Sequence, residues 1–339
     1  MRLRVRPMGL HDVENCVALL ASHPEERRRY GGLLEELPAA WRKLIRAGAL
    51  TSALLEDMDA QPQLVGLGVA VFVNDEFLRR LKSPPWAWMG PELTRQASGG
   101  SSDILSASQI REANSDDGVN IAVWAGIVSA ADCEDRIFMR LYRAFVEGHV
   151  GYHIKELIAQ PVDMKQIHGA IQGGVSLLSG EGHYVDGRPI SERLLDTPFV
   201  VGGDRETVKR TYGSWFSGSL FPYTPPIIYF RPAEQRLLLA ALSGLTDEEL
   251  SNELGVSYSA IKKTWGAVYA RAARALPDEF LDKAYDKPET KRGKQKKQRL
   301  LAYLRNHIEE LRPVMPPRNR PGRPFISATN RSRTPLQAA

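Results

Sequence analysis

Lys262, Lys263, Arg271 and Arg274 lie in residues 258–275, a stretch with no acidic residue. Cations on one segment suit phosphate oxygens and the acceptor edges of bases. Hydroxyls accompany them: Thr246 and Ser257 on the approach, then Tyr258, Ser259 and Tyr269. A second basic group, Lys294, Lys296 and Lys297, belongs to 291–299 (KRGKQKKQR), where six of nine residues are cationic. The chemistry expected of both groups is contact with double-stranded DNA. Other chemistries are less well provided for. His149, His153 and Glu156 fall four and three residues apart on what reads as a helix, but a zinc site needs further ligands that the sequence does not place nearby. Glu181, His183 and Asp186 sit in a glycine-rich run that reads as solvated turn. Trp86 and Trp88, after Pro84-Pro85, could line a pocket or fill the core. No Walker loop, nucleophile elbow or HExxH occurs. The expectation is therefore no catalytic residue, no metal, no cofactor, and no enzyme.

The cationic residues need rigid elements to hold them. In 230–271, FRPAEQRLLLAALSGLTDEELSNELGVSYSAIKKTWGAVYAR, three helical runs follow one another. Pro232 opens the first, where a missing N–H costs nothing. Leu237, Leu238 and Ala241 form its stripe, and Ser243-Gly244 stops it. Thr246 begins the second as N-cap, with Glu249 completing a capping box. Gly255 can turn the chain in the left-handed conformation, and Ser257 caps the third run. Ile261, Trp265 and Val268 share the inward face of that run, leaving Tyr258, Ser259, Lys262 and Lys263 outside. A three-helix bundle used for protein contacts is the plainer alternative. The cap-turn-cap spacing and one-sided charge favour DNA.

This segment resembles the C-terminal helix-turn-helix of LuxR-type transcription regulators. The matching positions are Glu234, Gly244-Leu245-Thr246, Glu248-Glu249, Leu250-Ser251, Leu254-Gly255-Val256-Ser257 and Ala260-Ile261-Lys262. Ser251 replaces the usual Ala, Thr264 stands where the family has His, and Gly266 loosens the helix by about 1 kcal/mol relative to Ala. The resemblance implies a recognition helix from Ser257 that reads the major groove. Sigma-factor region 4 is a similar cousin.

The 339 residues have room for two cores, and 43% hydrophobic with 25% charged residues is ordinary for a globular chain. The longest apolar stretch, Leu64 to Val73, is too short to span a bilayer, and no secretory signal follows Met1. Cys16 and Cys133 are too few for a disulfide framework and read as small hydrophobes in a reducing cytosol. The net charge of +5 is uneven: 15 Lys/Arg face 4 Asp/Glu from Lys283 onward, which leaves the first 282 residues six negative. Only the C-terminal end is charged for nucleic acid.

Residues 1–228 read as mixed α/β. Leu3 to Arg6, Leu50 to Leu55, Leu64 to Val73, Val119 to Trp124 and Thr197 to Val201 are the expected strands. His11 to Ala21, Pro38 to Ala47 and Glu134 to Glu147 are the expected helices. The opening, with Arg6-Pro7 ending a strand and Asp12 starting a helix, resembles the GNAT acetyltransferase superfamily. Members that bind acetyl-CoA hold its pyrophosphate on a Gln/Arg-x-x-Gly-x-Gly/Ala loop, and no such loop follows any candidate strand here; Gly66-Leu67-Gly68 reads as strand glycine beside a packed helix.

The expected architecture is a GNAT-like α/β body (1–228) serving as sensor or oligomerisation domain, followed by an all-α helix-turn-helix (229–282). A basic helix (283–312) and a disordered basic tail (313–339) complete it. Leu301, Leu304, Ile308 and Leu311 form a seam needing a partner, either the helix-turn-helix or a second copy. The leading expectation is a cytoplasmic bacterial transcription regulator that binds double-stranded DNA and no membrane. RNA polymerase, a small-molecule effector and a second subunit stay open as partners. The alternatives are a GNAT-type acetyltransferase with a DNA-binding appendage and a sigma-factor region 4-like protein.

Overall fold

The computed structural model describes residues 2–59, 62–100, 103–129, 135–161, 166–167, 171, 173–178, 184–185, 188–189, 198–210, 215–280 and 289–316. Cys133, Glu181, His183, Asp186, the start of the strand expected from Thr197 and the tail beyond 316 lie outside these residues.

The run QLVGLGVAVFV has apolar residues in both alternating positions, which a strand tolerates only when both faces are covered. It forms β3 (Gln63–Val73), flanked by β2 (Leu50–Asp57) and β4 (Val119–Val128), both antiparallel to it. β1 (Leu3–Arg6) adds an edge antiparallel to β2. On the other side β5 (Ile154–Ala159) runs parallel to β4. Two short strands follow it: β6 (Ser176–Leu177) and, after a separate hairpin of β7 (Tyr184–Val185) and β8 (Arg188–Pro189), β9 (Val201–Asp204). The seven-stranded sheet has the order β1-β2-β3-β4-β5-β9-β6.

Helices cover the two faces. α1 (Val13–Ala21), α2 (Pro24–Tyr30), α3 (Leu37–Ala47), α4 (Asp75–Leu81) and α5 (Met89–Gly99) pack in one cluster with Leu67, Val69, Val71 and Val73 of β3. α6 (Ala107–Ser115) and α7 (Asp135–His149) contribute to the other face, where Ala70 and Phe72 point. Gly68 lies close under α7: a Cβ there would stand 3.4 Å from Leu141 Cδ1. It is the strand glycine beside a packed helix that the sequence implied. α8 (Arg205–Arg210) and α9 (Trp215–Leu220) follow β9.

The Arg6-Pro7 and Asp12 pattern has a physical role. Arg6 Nη1 and Nη2 donate to Asp12 Oδ2 and Oδ1 at 2.6 and 2.7 Å, and Arg6 Nη2 also reaches Glu56 Oε1 at 2.7 Å. Asp12 Oδ2 accepts from Gly9 N at 2.7 Å, so one carboxylate closes the strand-to-helix turn. The bond from Arg6 pulls the Asp12 carboxyl below its ordinary value.

His149, His153 and Glu156 do not share a helix face. His149 ends α7 and is buried, with Nδ1 bonded to Phe145 O at 2.7 Å and Nε2 to Thr51 Oγ1 at 2.9 Å. Burial lowers its pKa to about 4. His153 lies in the loop, stacked on Tyr223, and Glu156 is in β5 paired with Lys82. Among the described residues no cluster of three or more metal-ligating side chains occurs. Cys16 is fully buried and its thiol is pushed up to about 12 by burial.

The C-terminal unit contains α10 (Pro232–Leu242), α11 (Asp247–Leu254), α12 (Tyr258–Ala275), α13 (Pro277–Phe280) and α14 (Glu289–Asn306). Thr246 makes the capping box with Glu249, Gly255 takes φ 63°, and Ser257 Oγ accepts from Ala260 N. Leu300, Leu301, Leu304 and Leu311 join Leu237, Leu250, Ile261, Trp265 and Val268 in one core. The seam therefore packs on the helical unit itself. Among the described residues no helix is long and apolar enough to cross a membrane.

The Arg6–Asp12 pair gives a pH-dependent expectation. A carboxylate held down in the fold contributes stability above its unfolded pKa of about 4, and that contribution disappears as pH falls through the folded value. Asp12→Asn should cost about 1–3 kcal/mol at pH 7, roughly 2–10 °C in Tm. The difference from wild type should shrink towards pH 3, as read by scanning calorimetry.

Candidate active site

Parallel strands β4 and β5 stay paired only part of the way. Ladder partners run from Val119↔Ile154 to Val123↔Ala159 and then stop, while β4 continues against β3 to Val128↔Gly66. A bulge sits at the point of departure: Val69 pairs Ala125 and Ala70 pairs Val123, so Trp124 is the extra residue. Bulges add local twist and re-aim side chains. Trp124 Nε1 donates to Tyr30 Oη at 2.9 Å, which ties the bulge to α2. Beyond it, side chains supply what β5 no longer does. Gln166 Nε2 donates to Gly126 O at 3.2 Å, and His23 Nε2 lies 2.8 Å from Val128 O.

The divergence opens a cleft of about 110 Å³. Phe138, Leu141, Tyr142 and Phe145 of α7 wall one side, with Leu157 and Val201 beyond. Glu26 of α2 lines it from the opposite face of the sheet, and Gln160 and Pro161 form the lip after β5. The gap is thus lined from both faces of the sheet. Glu26 and Tyr142 are the ionisable residues among its described lining. Burial raises the Glu26 pKa above the ordinary carboxylate value, although Arg29 Nη1 donates to Glu26 Oε1 at 3.0 Å and opposes the shift. Arg29 is held in turn by Pro161 O at 3.1 Å and by the Trp88 ring at 4.2 Å. Trp88 thus steadies the site's ion pair and does not line the cleft. Burial pushes the Tyr142 phenol up to about 12, so it is neutral at physiological pH.

The DNA-contact residues expected from sequence divide into two groups. Tyr258, Ser259, Lys262 and Lys263 are exposed at the start of α12, with Lys262 Nζ 4.5 Å from the Tyr258 ring centroid. Thr246 and Ser257 are exposed too, each using its hydroxyl as a helix cap. The second group is engaged inside the unit. Arg271 Nε pairs with buried Glu234 at 2.8 Å, and Lys297 Nζ pairs with Asp247 at 2.8 Å while lying 4.9 Å from the Trp265 ring. Tyr269 stacks on Trp265 and is half-buried. Lys296 is half-buried in α14, and the side chain of Lys294 lies outside the described residues.

No family model and no curated protein sequence matches this chain. Solved structures do resemble it at low identity. A histone acetyltransferase HPA2-related protein from Corynebacterium glutamicum is 12% identical, with 60% of this chain and 96% of that chain covered and a TM-score of 0.34. Arabidopsis thaliana NAA60 with a bisubstrate analogue is 10% identical, covering 60% and 98%, with a TM-score of 0.35. Spermidine N-acetyltransferase from Vibrio cholerae, with CoA and spermine, is 14% identical, covering 61% and 98%, with a TM-score of 0.35. The mixed α/β body is consistent with a GNAT-like fold. These neighbours are acetyltransferases, a finding that stands against the expectation that the chain is not an enzyme. They offer nothing for the C-terminal unit as a LuxR-type module.

The cleft suits an acyl donor only in part. Its apolar walls and the β4 edge fit an extended amide-bearing arm. The connection from Val128 to α7 reads S-A-A-D-C-E, with two acids and no glycine, which does not fit a diphosphate. A Cβ on Gly126 would meet nothing within 4 Å. Gly126→Val should therefore fold with stability changed by less than about 1 kcal/mol. It should also weaken binding of an anilinonaphthalene dye to the cleft by about tenfold, measured by fluorescence titration.

Proposed function

We propose that this chain is an acyltransferase that moves an acyl group from a thioester to an amine, with a C-terminal unit that binds double-stranded DNA. One observation carries the catalytic part: the cleft where β4 and β5 part is lined by α7 residues on one face of the sheet and by buried Glu26 of α2 on the other, so a donor and an amine can be brought together within it. The donor lies on the α7 side, where apolar walls and the β4 edge beyond its ladder with β5 hold an extended arm. The amine enters from the α2 side beside Glu26. Its nitrogen attacks the acyl carbon, the C–N bond forms as the C–S bond breaks, the thiolate departs and takes a proton from solvent, and Glu26 accepts the proton the nitrogen loses. A carboxylate whose burial raises its proton affinity is better matched to that role than an ordinary one. Arg29 holds it in place, and Trp124 keeps the strand bulged. The cleft, and not a pyrophosphate loop, supports this reading.

DNA binding rests on the exposed start of α12. Lys262, Lys263, Tyr258 and Ser259 stand together there, at a helix end without acids. Arg271 and Lys297 act as internal braces of that helix, and Lys294 and Lys296 would add phosphate contacts from α14. The capping box at Thr246, the turn at Gly255 and the cap at Ser257 support a LuxR-type assignment of this unit.

Two experiments test the two halves separately. Purified protein is mixed with a panel of polyamines and lysine peptides, using acetyl-CoA and acetyl-N-acetylcysteamine as donors, and free thiol is followed. Wild type should release thiol in an amine-dependent way, and Glu26→Gln should lower kcat by about 10²-fold or more. Absence of amine-dependent release with either donor defeats the transferase reading.

For DNA, the full chain should retard a duplex at low salt. Replacing Lys262 and Lys263 by Ala should lower the salt slope by about one unit each where they meet phosphate. No retardation even at low ionic strength removes the DNA part and leaves the cleft untouched.

A further inference from the structure

Two oppositely charged side chains, two residues apart, are buried in different parts of the molecule. Glu310 is 1% exposed, and its carboxylate accepts from Ile227 N at 2.9 Å, Ile228 N at 2.8 Å and Tyr303 Oη at 3.2 Å. All three donors lie in the C-terminal unit or at its entry. Arg312 is 7% exposed and points the other way, into the body. Its Nε donates to Val150 O at 2.8 Å, its Nη2 to Glu147 O at 3.1 Å, and its guanidinium lies 4.9 Å from the Tyr152 ring centroid. Those carbonyls belong to the C-terminal end of α7, where unsatisfied acceptors and the helix dipole favour a cation.

The backbone between and beyond these charges is held as well. Arg312 O accepts from Gln235 Nε2 of α10 at 2.7 Å. Pro313 O accepts from Asn114 Nδ2 at 2.8 Å, and Met315 N donates to Ser115 Oγ at 2.6 Å. Gly151, at φ 89°, lets the strap cross at backbone distance: a Cβ there would stand 2.9 Å from Glu309 Cα. Residues 308–315 therefore bridge α10, α6 and α7 in one crossing. A buried charge tolerates little displacement, because loss of its partners leaves it desolvated and uncompensated.

The same helix that Arg312 caps walls the cleft with Phe138, Leu141, Tyr142 and Phe145. We infer that residues 308–315 are a coupling strap through which the packing state of the C-terminal helical unit sets the order of α7, and with it the shape of the cleft. A change that loosens or tightens the helical unit would reach the cleft through Glu310 and Arg312. The inference needs the cleft and the strap only, and stands apart from the identity of the reaction.

Hydrogen exchange on the full chain tests it. Leu304 is fully buried in the helical unit and distant in sequence from α7. Leu304→Ala should speed exchange in α10 to α12 and also, by roughly tenfold or more, at the amides of 145–152. The β2–β3 amides should stay protected. Arg312→Gln should speed 145–152 directly, and Leu304→Ala added to it should bring little more there, a non-additivity that marks a shared route. If Leu304→Ala unfolds the unit outright, Leu300→Val supplies a milder perturbation with the same readout. Faster exchange confined to the helical unit, with 145–152 unchanged, overturns the coupling. So does an Arg312→Gln protein whose 145–152 amides exchange as in wild type, or full additivity of the two substitutions.

Discussion

The ladder between β4 and β5 ends halfway, and the site follows from that. A parallel pair deep in a sheet ordinarily satisfies every backbone group on both strands, since an unpaired buried N–H or C=O is costly. Here β4 keeps its partners on the β3 side and loses them on the β5 side after Val123. The bulge at Trp124 turns the strand, and Gln166 and His23 take up carbonyls that β5 leaves behind. The remaining edge faces an apolar gap instead of water. An extended ligand with amides of its own can continue the ladder, which is a stronger directional cue than the apolar walls alone.

Both sides of the gap depend on elements remote from it. On one side the Glu26–Arg29 pair survives burial because Trp88 covers the guanidinium and Pro161 accepts from it. On the other, α7 is amphipathic over fifteen residues and spends its inner face on the sheet near its start and on the cleft along its middle. Its final turn rests on the sheet through His149, which bonds Thr51 of β2 and packs against Phe72 of β3. Its carbonyls are satisfied by an arginine from the far end of the chain. The helical unit is thus packed on its own core yet structurally continuous with the wall of the site.

Local chemistry made much of this readable. Thr246 with Glu249, Gly255 and Ser257 are caps and turns whose conformations follow from residue type, so the helical unit could be drawn from its sequence. β3 and β4 could be paired because their apolar runs exceed what one face can use. The Arg6–Asp12 turn was also visible. The cleft was not, because it depends on register. Ile154, Leu157 and Ile158 fall at helical spacing, so the sequence alone does not separate β5 from a continuation of α7. The ladder itself skips Lys155 at the start of β5. Glu26 was hidden in PEERRRY, a run whose charges look solvated until Trp88 and Pro161 close over it. Arg271 and Lys297 looked like free cations because their partners, Glu234 and Asp247, are far apart in sequence.

The position of Arg312 in the chain has a consequence for biosynthesis. It is 162 residues beyond Val150, whose carbonyl it satisfies. At about 5–20 residues per second, a ribosome that has completed α7 needs roughly ten to thirty seconds before that arginine is made. The sheet can collapse in that interval, but the last turn of α7 must wait with its acceptors in water. A nascent chain therefore passes through a stage in which the cleft exists with one wall unfinished, and translation speed across the helical unit governs how long that stage lasts.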